Sequence, residues 1–327
     1  ALSYLQRIAV VEMDVPIGRV VYTSLLNDAG GIRADLTIMR LGTDLFRVVT
    51  GGATGVMDRK WFVDNLPEDG SAQLTDQTSN WCTVGVWGPR ARDLVASVTE
   101  DDVSGAGFPF ATCRPISIGT VSVIASRISY VGDLGWEIHA PMEQGARLWD
   151  TLWDAGQPYG SVPVGIGVYA TTGRLEKCYR AYGNELELEY DLVECGLARK
   201  RVKDADFIGK QAYLAQREHQ PAAVLCALTV DNHSSSNGTR RYMLGHEPIL
   251  TAAGEPIVDA KGRRSYVTSA GAGPSVGKHI LLGYLTPEYA RVGEKLLVEY
   301  MDERYPVTVD VAGNAALFDP ENTRLKG

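Results

Sequence analysis

Asn27-Asp28-Ala29-Gly30-Gly31-Ile32-Arg33-Ala34-Asp35-Leu36-Thr37-Ile38 decides how the first part of this chain folds. Asn and Asp bond their own backbone and Gly supplies positive φ, so residues 27–31 read as a turn. Val20 to Leu26 before it and Ile32 to Leu41 after it read as strands, which makes a hairpin. In the second arm Ile32, Ala34, Leu36 and Ile38 share one face, while Arg33, Asp35 and Thr37 share the other. A polar outer face is the default for an antiparallel hairpin, and Asp35 would then be solvated. If that face lines a pocket, Asp35 is a desolvated carboxylate beside an Arg and a Thr, the material of an acid/base site.

The chain has 327 residues, more than one compact core holds, and suits two or three domains. Hydrophobic content of 45% and charged content of 22% are those of a globular protein. With 32 Lys and Arg against 40 Asp and Glu, the net charge is −8, which argues against nucleic acid or an anionic membrane as partner. The strongest basic run, Arg199-Lys200-Arg201-Val202-Lys203, is short and has the character of a solvated face. Five cysteines (82, 113, 178, 195, 226) form no CxxC pair, so a disulfide framework or zinc site is not expected. A reducing compartment fits: cytoplasm, or mitochondrial matrix in a eukaryote. No apolar stretch reaches membrane-span length. The N-terminal ALSYLQRIAVVEMDVP lacks a signal-peptide layout and an initiator Met, as expected of a processed chain or a piece of a longer one.

Along the chain, a strand over Leu45–Thr50 turns at Gly51-Gly52 into a helix over about Met57–Asn65. WCTVGVWGPRARDLVASV runs from strand through Gly88-Pro89 into a helix over Arg90–Val98. Pro115–Ser129 reads as a strand pair, Met142–Trp153 as an amphipathic helix, and residues 163–181 as a helix carrying Tyr169, Arg174 and Glu176. This predicts α+β layers with mixed sheets. From Ala222 the chain turns to short strands, with hairpin tips at Asp259–Gly262 and Met301–Arg304, and predicts a small antiparallel barrel. The boundary falls near 215–225, giving regions 1–220 and 221–327.

Two motifs fail on inspection. In Gly271–His279, GAGPSVGKH, Ala272 stands where a phosphate loop needs a glycine, and His279 where it needs the hydroxyl that ligates Mg²⁺. Gly165-Ile166-Gly167 lacks the third glycine of a dinucleotide fingerprint. The five histidines have no metal-ligand spacing, so no metal is expected, and His139 reads as a structural strand residue.

SYVGDLGWEIHAP, residues 129–141, repeats the design of the first segment: strand, glycine-bounded turn, strand, with Glu137 between Trp136 and Ile138. Glu137 faces either solvent or a partner. Together with IGRVVYTSLLNDAGGIRADLTIMRL, RLEKCYRAYGNEL, DFIGKQA and VTSAGAGPSVGKHILLGYL, in order over nearly the whole chain, it resembles the aminomethyltransferase family: the glycine cleavage T-protein and the folate modules of dimethylglycine and sarcosine dehydrogenases and oxidases. YVGDLGWEI and RLEKxxRAYG are closer to the latter.

The resemblance implies an aminomethyltransferase-like folate-binding region followed by a C-terminal antiparallel β-barrel, with a central tetrahydrofolate pocket. Asp35 falls on the family's essential acid, and Glu137 on the acid that pairs with the pterin's amino and ring N–H groups. Tyr22, Tyr130 and Tyr182 fall on pocket aromatics, and Thr37 and Gly51 lie against the ligand. Arg174 is placed to meet the benzoyl-glutamate end or to support Glu137. The implied reaction takes a one-carbon group from an N-methylated amine-derived donor and yields 5,10-methylenetetrahydrofolate. The alternatives are an O- or S-demethylase yielding 5-methyltetrahydrofolate, and a non-catalytic folate-binding or iron–sulfur assembly protein, of which EKCYRAYGNE around Cys178 is a faint echo. Relatives carry several tens of residues before the LQR segment, including a strand and helix that complete the first domain, so that part is expected to have been removed or to come from another segment. The C-terminal module of a longer flavoprotein is consistent with this, with a dehydrogenase domain or subunit as the implied partner. FAD enters only through that partner, since these residues hold no FAD fingerprint.

Overall fold

The computed structural model describes residues 1–327. The opening hairpin forms as its pattern requires. Strand β1 (Val20–Leu26) pairs antiparallel with β2 (Ile32–Arg40), which pairs in turn with β3 (Phe46–Val49). In the turn, Asn27 Oδ1 accepts from the Gly31 N–H at 2.9 Å, and Gly30 takes φ of 80°. One face of this sheet is apolar. Ala34, Leu36 and Ile38 pack against Tyr4, Leu5 and Ile8 of α1 (Leu2–Ile8) and Phe62 of α2 (Gly55–Asp64). The alternation is regular: residues 32, 34, 36 and 38 are buried, and 33, 35 and 37 are half-buried.

A second sheet has the order β4-β7-β6-β5: β4 (Trp81–Trp87), β5 (Cys113–Ile118), β6 (Val121–Ser126) and β7 (Gly135–Pro141). Its apolar face, with Ile116, Val123, Trp136 and Ile138, is covered by α3 (Ala91–Ala96) and α4 (Gly145–Gly156). In α4 the buried positions Leu148, Leu152 and Gly156 recur every fourth residue, one stripe of a helix. The remaining faces of the two sheets meet at Val20, Met39 and Cys113, with Ile124 and Ile128 alongside. Backbone bonds from Val20 N–H to Ala111 O (2.9 Å) and Cys113 N–H to Gly18 O (2.7 Å) stitch this end together. Beyond this small apolar contact, the facing surfaces carry polar and aromatic side chains.

After α4 the structure departs from the expected helix over 163–181. Helix ends at Glu176: a π-type stretch, Val168–Gly173, runs into one turn, α5 (Arg174–Glu176). Cys178, at φ of 54°, turns the chain away. Val168, Thr171 and Thr172 are β-branched and Gly173 is flexible, so the sequence there favours a distorted helix. A long connection leads through α6 (Lys210–Arg217) to the C-terminal sheet.

That sheet has six antiparallel strands in the order β10-β11-β8-β13-β12-β9: β8 (Val224–Val230), β9 (Ile249–Leu250), β10 (Val267–Gly273), β11 (Lys278–Leu285), β12 (Lys295–Tyr300) and β13 (Glu303–Ala312). A bridge between Pro248 and Tyr266 joins the two ends, with Ile249 N–H on Ser265 O at 3.0 Å. The protein is thus α+β with a C-terminal antiparallel barrel. GAGPSVGKH is the β10–β11 hairpin, with no helix behind it to bind phosphate. Met301 and Asp302 both take positive φ in the β12–β13 turn, as expected of a tight hairpin tip. The outer face of the barrel shares a core with the 175–213 segment, including Leu175, Leu186, Tyr190, Leu225, Leu282 and Tyr284. A short helix, α7 (Thr323–Lys326), closes the chain.

Candidate active site between the two sheets

The register of the first hairpin places Tyr22 opposite Thr37 and Ser24 opposite Asp35. Tyr22 and Asp35 are therefore diagonal neighbours on one face, within reach of a long side chain. The Tyr22 hydroxyl donates to Asp35 Oδ2 at 2.9 Å. Burial pushes the Asp35 carboxyl above its ordinary value, and the Tyr22 hydrogen bond pulls the other way. Tyr22 is still 39% exposed, so the pair lines a cleft and is not part of a sealed core.

Glu137 sits across from this pair on β7, opposite Gly85 of β4 and Ser126 of β6. Its neighbours Trp136 and Ile138 enter the apolar core, so period-2 geometry turns Glu137 to the inner face. Burial raises its carboxyl, opposed by the Tyr169 hydroxyl, which donates to Oε1 at 3.4 Å. That long bond is the one side-chain hydrogen bond to this carboxylate. Aromatic rings surround it. Trp87 lies 5.5 Å from Tyr169, Tyr169 lies 5.2 Å from Tyr130, and Tyr130 stacks on Tyr179 at 5.8 Å. Glycine makes this wall: a Cβ at Gly85 would overlap the Trp87 ring, and one at Gly135 would overlap the Val86 carbonyl. The hydroxyls of Tyr130 and Tyr169 are raised first by burial, and the Asp35 charge also raises both. Both carboxylates thus face one cleft.

The expected site residues divide. Tyr22, Asp35 and Thr37 share one face of the first sheet, and Tyr130 and Glu137 meet Tyr169 on the other side. Tyr182, in the connection after α5, lies against the Arg33 guanidinium of β2. Gly51 is exposed in the turn before α2, where its carbonyl accepts from the Thr54 hydroxyl at 3.2 Å. Arg174 is a correction. It is buried, pairs with Glu185 at 3.0 Å, and donates to Ala170 O, Tyr179 O and Ser269 Oγ. Its donors are spent tying α5 to β10 and none goes to Glu137, while its charge acts on the Tyr130 hydroxyl from behind the aromatic wall. The sequence assigned no site role to Tyr169, named only as a helix residue, to Trp87, or to Tyr179, which lies within RLEKCYRAYG. The Gly85-x-Trp87 spacing was the one local signal.

His139 is structural: Nδ1 is 2.8 Å from Thr83 Oγ1, and burial holds the imidazole down to about 4. The Cys178 thiol is buried and pushed up by burial, the wrong environment for a metal-binding thiolate. No three His, Cys, Asp or Glu side chains converge on a metal position, and no helix is long and apolar enough to cross a membrane.

Comparison with known proteins gives this arrangement a lineage. Residues 1–203 match the GCVT N-terminal domain, and residues 242–313 match the glycine cleavage T-protein C-terminal barrel domain. The chain belongs to the glycine cleavage T-protein family. This is a family of tetrahydrofolate-dependent one-carbon transfer. An aminomethyltransferase of Thermosynechococcus vestitus is 30% identical over 298 residues, covering 89% of this chain and 73% of that one. Mouse mitochondrial dimethylglycine dehydrogenase is 29% identical over 308 residues, covering 92% of this chain and 33% of that one. The chain spans about a third of the length of the dimethylglycine dehydrogenases it matches. The crystal structure of the Bartonella henselae glycine cleavage aminomethyltransferase superposes with a TM-score of 0.77 over 95% of this chain and 80% of that one, at 20% identity, and shares its fold.

Proposed function

We propose that this chain binds tetrahydrofolate between its two N-terminal sheets and transfers to it a one-carbon group from an N-methylated amine-derived donor, giving 5,10-methylenetetrahydrofolate. The observation that carries this reading is the pairing of two sheltered carboxylates, Asp35 and Glu137, on opposed walls of one aromatic-lined cleft. The residues fit such a ligand. A buried carboxylate needs donors to offset its desolvation, and Glu137 has one long hydrogen bond, leaving room for two N–H groups of a flat heterocycle. Trp87, Tyr130 and Tyr169 offer ring faces and edges beside it. Tetrahydrofolate, when bound, supplies the two amine nitrogens that take up the carbon.

In this reading Glu137 orients the heterocycle. Asp35 stabilises positive charge at the reacting amine or takes its proton on the carboxylate, and Tyr22 fixes the carboxylate's rotamer. Proton transfer of this kind typically contributes about 10²–10⁴ in rate. Thr37 and Gly51 complete the walls in this proposal, and Tyr182 the Arg33 end. Donor oxidation is assigned to a flavoprotein domain or subunit outside these residues, consistent with the longer dimethylglycine dehydrogenases. Turnover with an N-methylamine and the oxidising flavoprotein, followed by chromatographic identification of the folate, tests the proposal. 5,10-Methylenetetrahydrofolate supports it, and 5-methyltetrahydrofolate would replace it with the demethylase reading.

A further inference from the structure

With Arg174 locked away, the cation nearest Asp35 along the strand is Arg33. The two are separated by one residue on the same face of β2, so their Cβ atoms stand about 7 Å apart. The Arg33 side chain is 19% exposed, sheltered yet reachable. It is held from behind. Nη2 donates to Met57 O at 3.1 Å, the guanidinium carbon lies 5.6 Å from the centre of the Trp61 ring, and Tyr182 lies against it.

Asp58, in the first turn of α2, is 1% exposed. Its Oδ2 accepts from the Thr54 hydroxyl at 2.7 Å, while Oδ1 has no hydrogen-bond partner. Arg33 Nη1 stands 4.0 Å from that oxygen, close enough for attraction and too far for a hydrogen bond. The buried carboxylate therefore keeps a guanidinium beside the cleft without consuming its donors. Met57 O engages one N–H and the Tyr182 hydroxyl draws on another, of the five that the group carries. The N–H groups that remain on this planar fork can meet a carboxylate oxygen pair.

We propose that Arg33 is a carboxylate-binding residue beside Asp35, held in place by Asp58, Met57 and Trp61. This rests on the reading of the Asp35 cleft as the one-carbon site. The carboxylate has two available sources: the amine donor, if it is an N-methylated amino acid, or the glutamate of tetrahydrofolate.

Calorimetric titration of the full chain with two matched pairs of probes decides. N-methylglycine is compared with N-methylethylamine, which lacks the carboxylate. Tetrahydrofolate is compared with 6-methyltetrahydropterin, which lacks the benzoyl-glutamate. Arg33→Met should weaken the carboxylate-bearing member of one pair by about tenfold to a hundredfold and leave its counterpart within about twofold. Loss in the N-methylglycine pair assigns the donor, and loss in the folate pair assigns the glutamate. Because Arg33→Met strands the Asp58 charge, the double variant Arg33→Met/Asp58→Asn is measured beside it and should show the same selective loss in a folded chain. Equal affinities of wild type and double variant for all four probes would overturn the inference. Wild-type affinity for neither tetrahydrofolate nor its pterin would instead defeat the folate reading. Selective N-methylglycine binding would then still stand for Arg33.

Discussion

The Tyr22 hydroxyl and the Asp35 carboxylate meet at 2.9 Å across the β1–β2 ladder, two residues out of direct register. This contact ties a turn motif read from sequence to the chemistry of the cleft. It sets opposing influences on one acid: burial raises Asp35, and Tyr22 lowers it. If the ionised form works as the base, activity falls as pH drops through a value above that of an ordinary carboxyl. Tyr22→Phe removes the lowering partner. The acid limb of the pH–rate profile should then move upward, by about one unit or less because Tyr22 is partly solvated. An unmoved limb would separate Asp35 from the rate.

The same acid should limit stability. Its folded-state value is raised, so the protonated form is favoured in the native protein. The corresponding stability is present at low pH and lost as pH rises through the raised value. Asp35→Asn should therefore raise Tm at neutral pH, by roughly 1–3 °C for a chain of this size. It should cost turnover by about 10²–10⁴ and change tetrahydrofolate affinity little. The gain in Tm should vanish below the ordinary carboxyl range, where wild-type Asp35 is protonated in both states. A variant that loses Tm at neutral pH would contradict the desolvation argument.

Arg174 gives the opposite profile. Removing one partner of a buried, hydrogen-bonded ion pair leaves an uncompensated charge, here on Glu185, which also accepts from Thr268 and Ser269. Arg174→Ala should cost about 3–5 kcal/mol of stability. Tetrahydrofolate affinity of the protein that remains folded should be unchanged. Selective loss of affinity at full stability would restore Arg174 to the ligand.

The aromatic wall depends on a missing side chain. Gly85→Ala places a methyl group into the Trp87 ring and should push it out of place, at a cost of about 1–3 kcal/mol. Trp87 donates to Ile128 O at 3.2 Å and lies against Tyr169. Its tryptophan emission should change, and folate affinity should fall with it. Unchanged emission would mean that the ring is free to accommodate the methyl group.

Much of this was legible because it is local. The turn at 27–31, the alternation through 32–38 and the placing of Glu137 on the face opposite Trp136 and Ile138 all follow from period-2 geometry and glycine chemistry. Whether those polar faces looked into solvent or into each other was not legible, since it depends on two sheets packing through Val20, Met39 and Cys113. Arg174 was misjudged for the same reason. Its partners Glu185 and Ser269 lie 11 and 95 residues away in sequence, and only the fold brings them to it. The helix expected over 163–181 stopped early because Cys178 adopts a left-handed backbone that nothing in its residue type announces. The order of widely spaced motifs carried the family; the π-type turn that delivers Tyr169 to Glu137 did not show in any of them.

The central claim is that Glu137 holds a folate heterocycle across the cleft from Asp35. Anaerobic calorimetric titration with (6S)-tetrahydrofolate tests it most directly, in wild type, Glu137→Gln and Glu137→Ala. The account predicts saturable binding to the wild type, with affinity reduced about tenfold to a hundredfold in Glu137→Gln and further in Glu137→Ala. Undiminished binding to folded Glu137→Ala would contradict it.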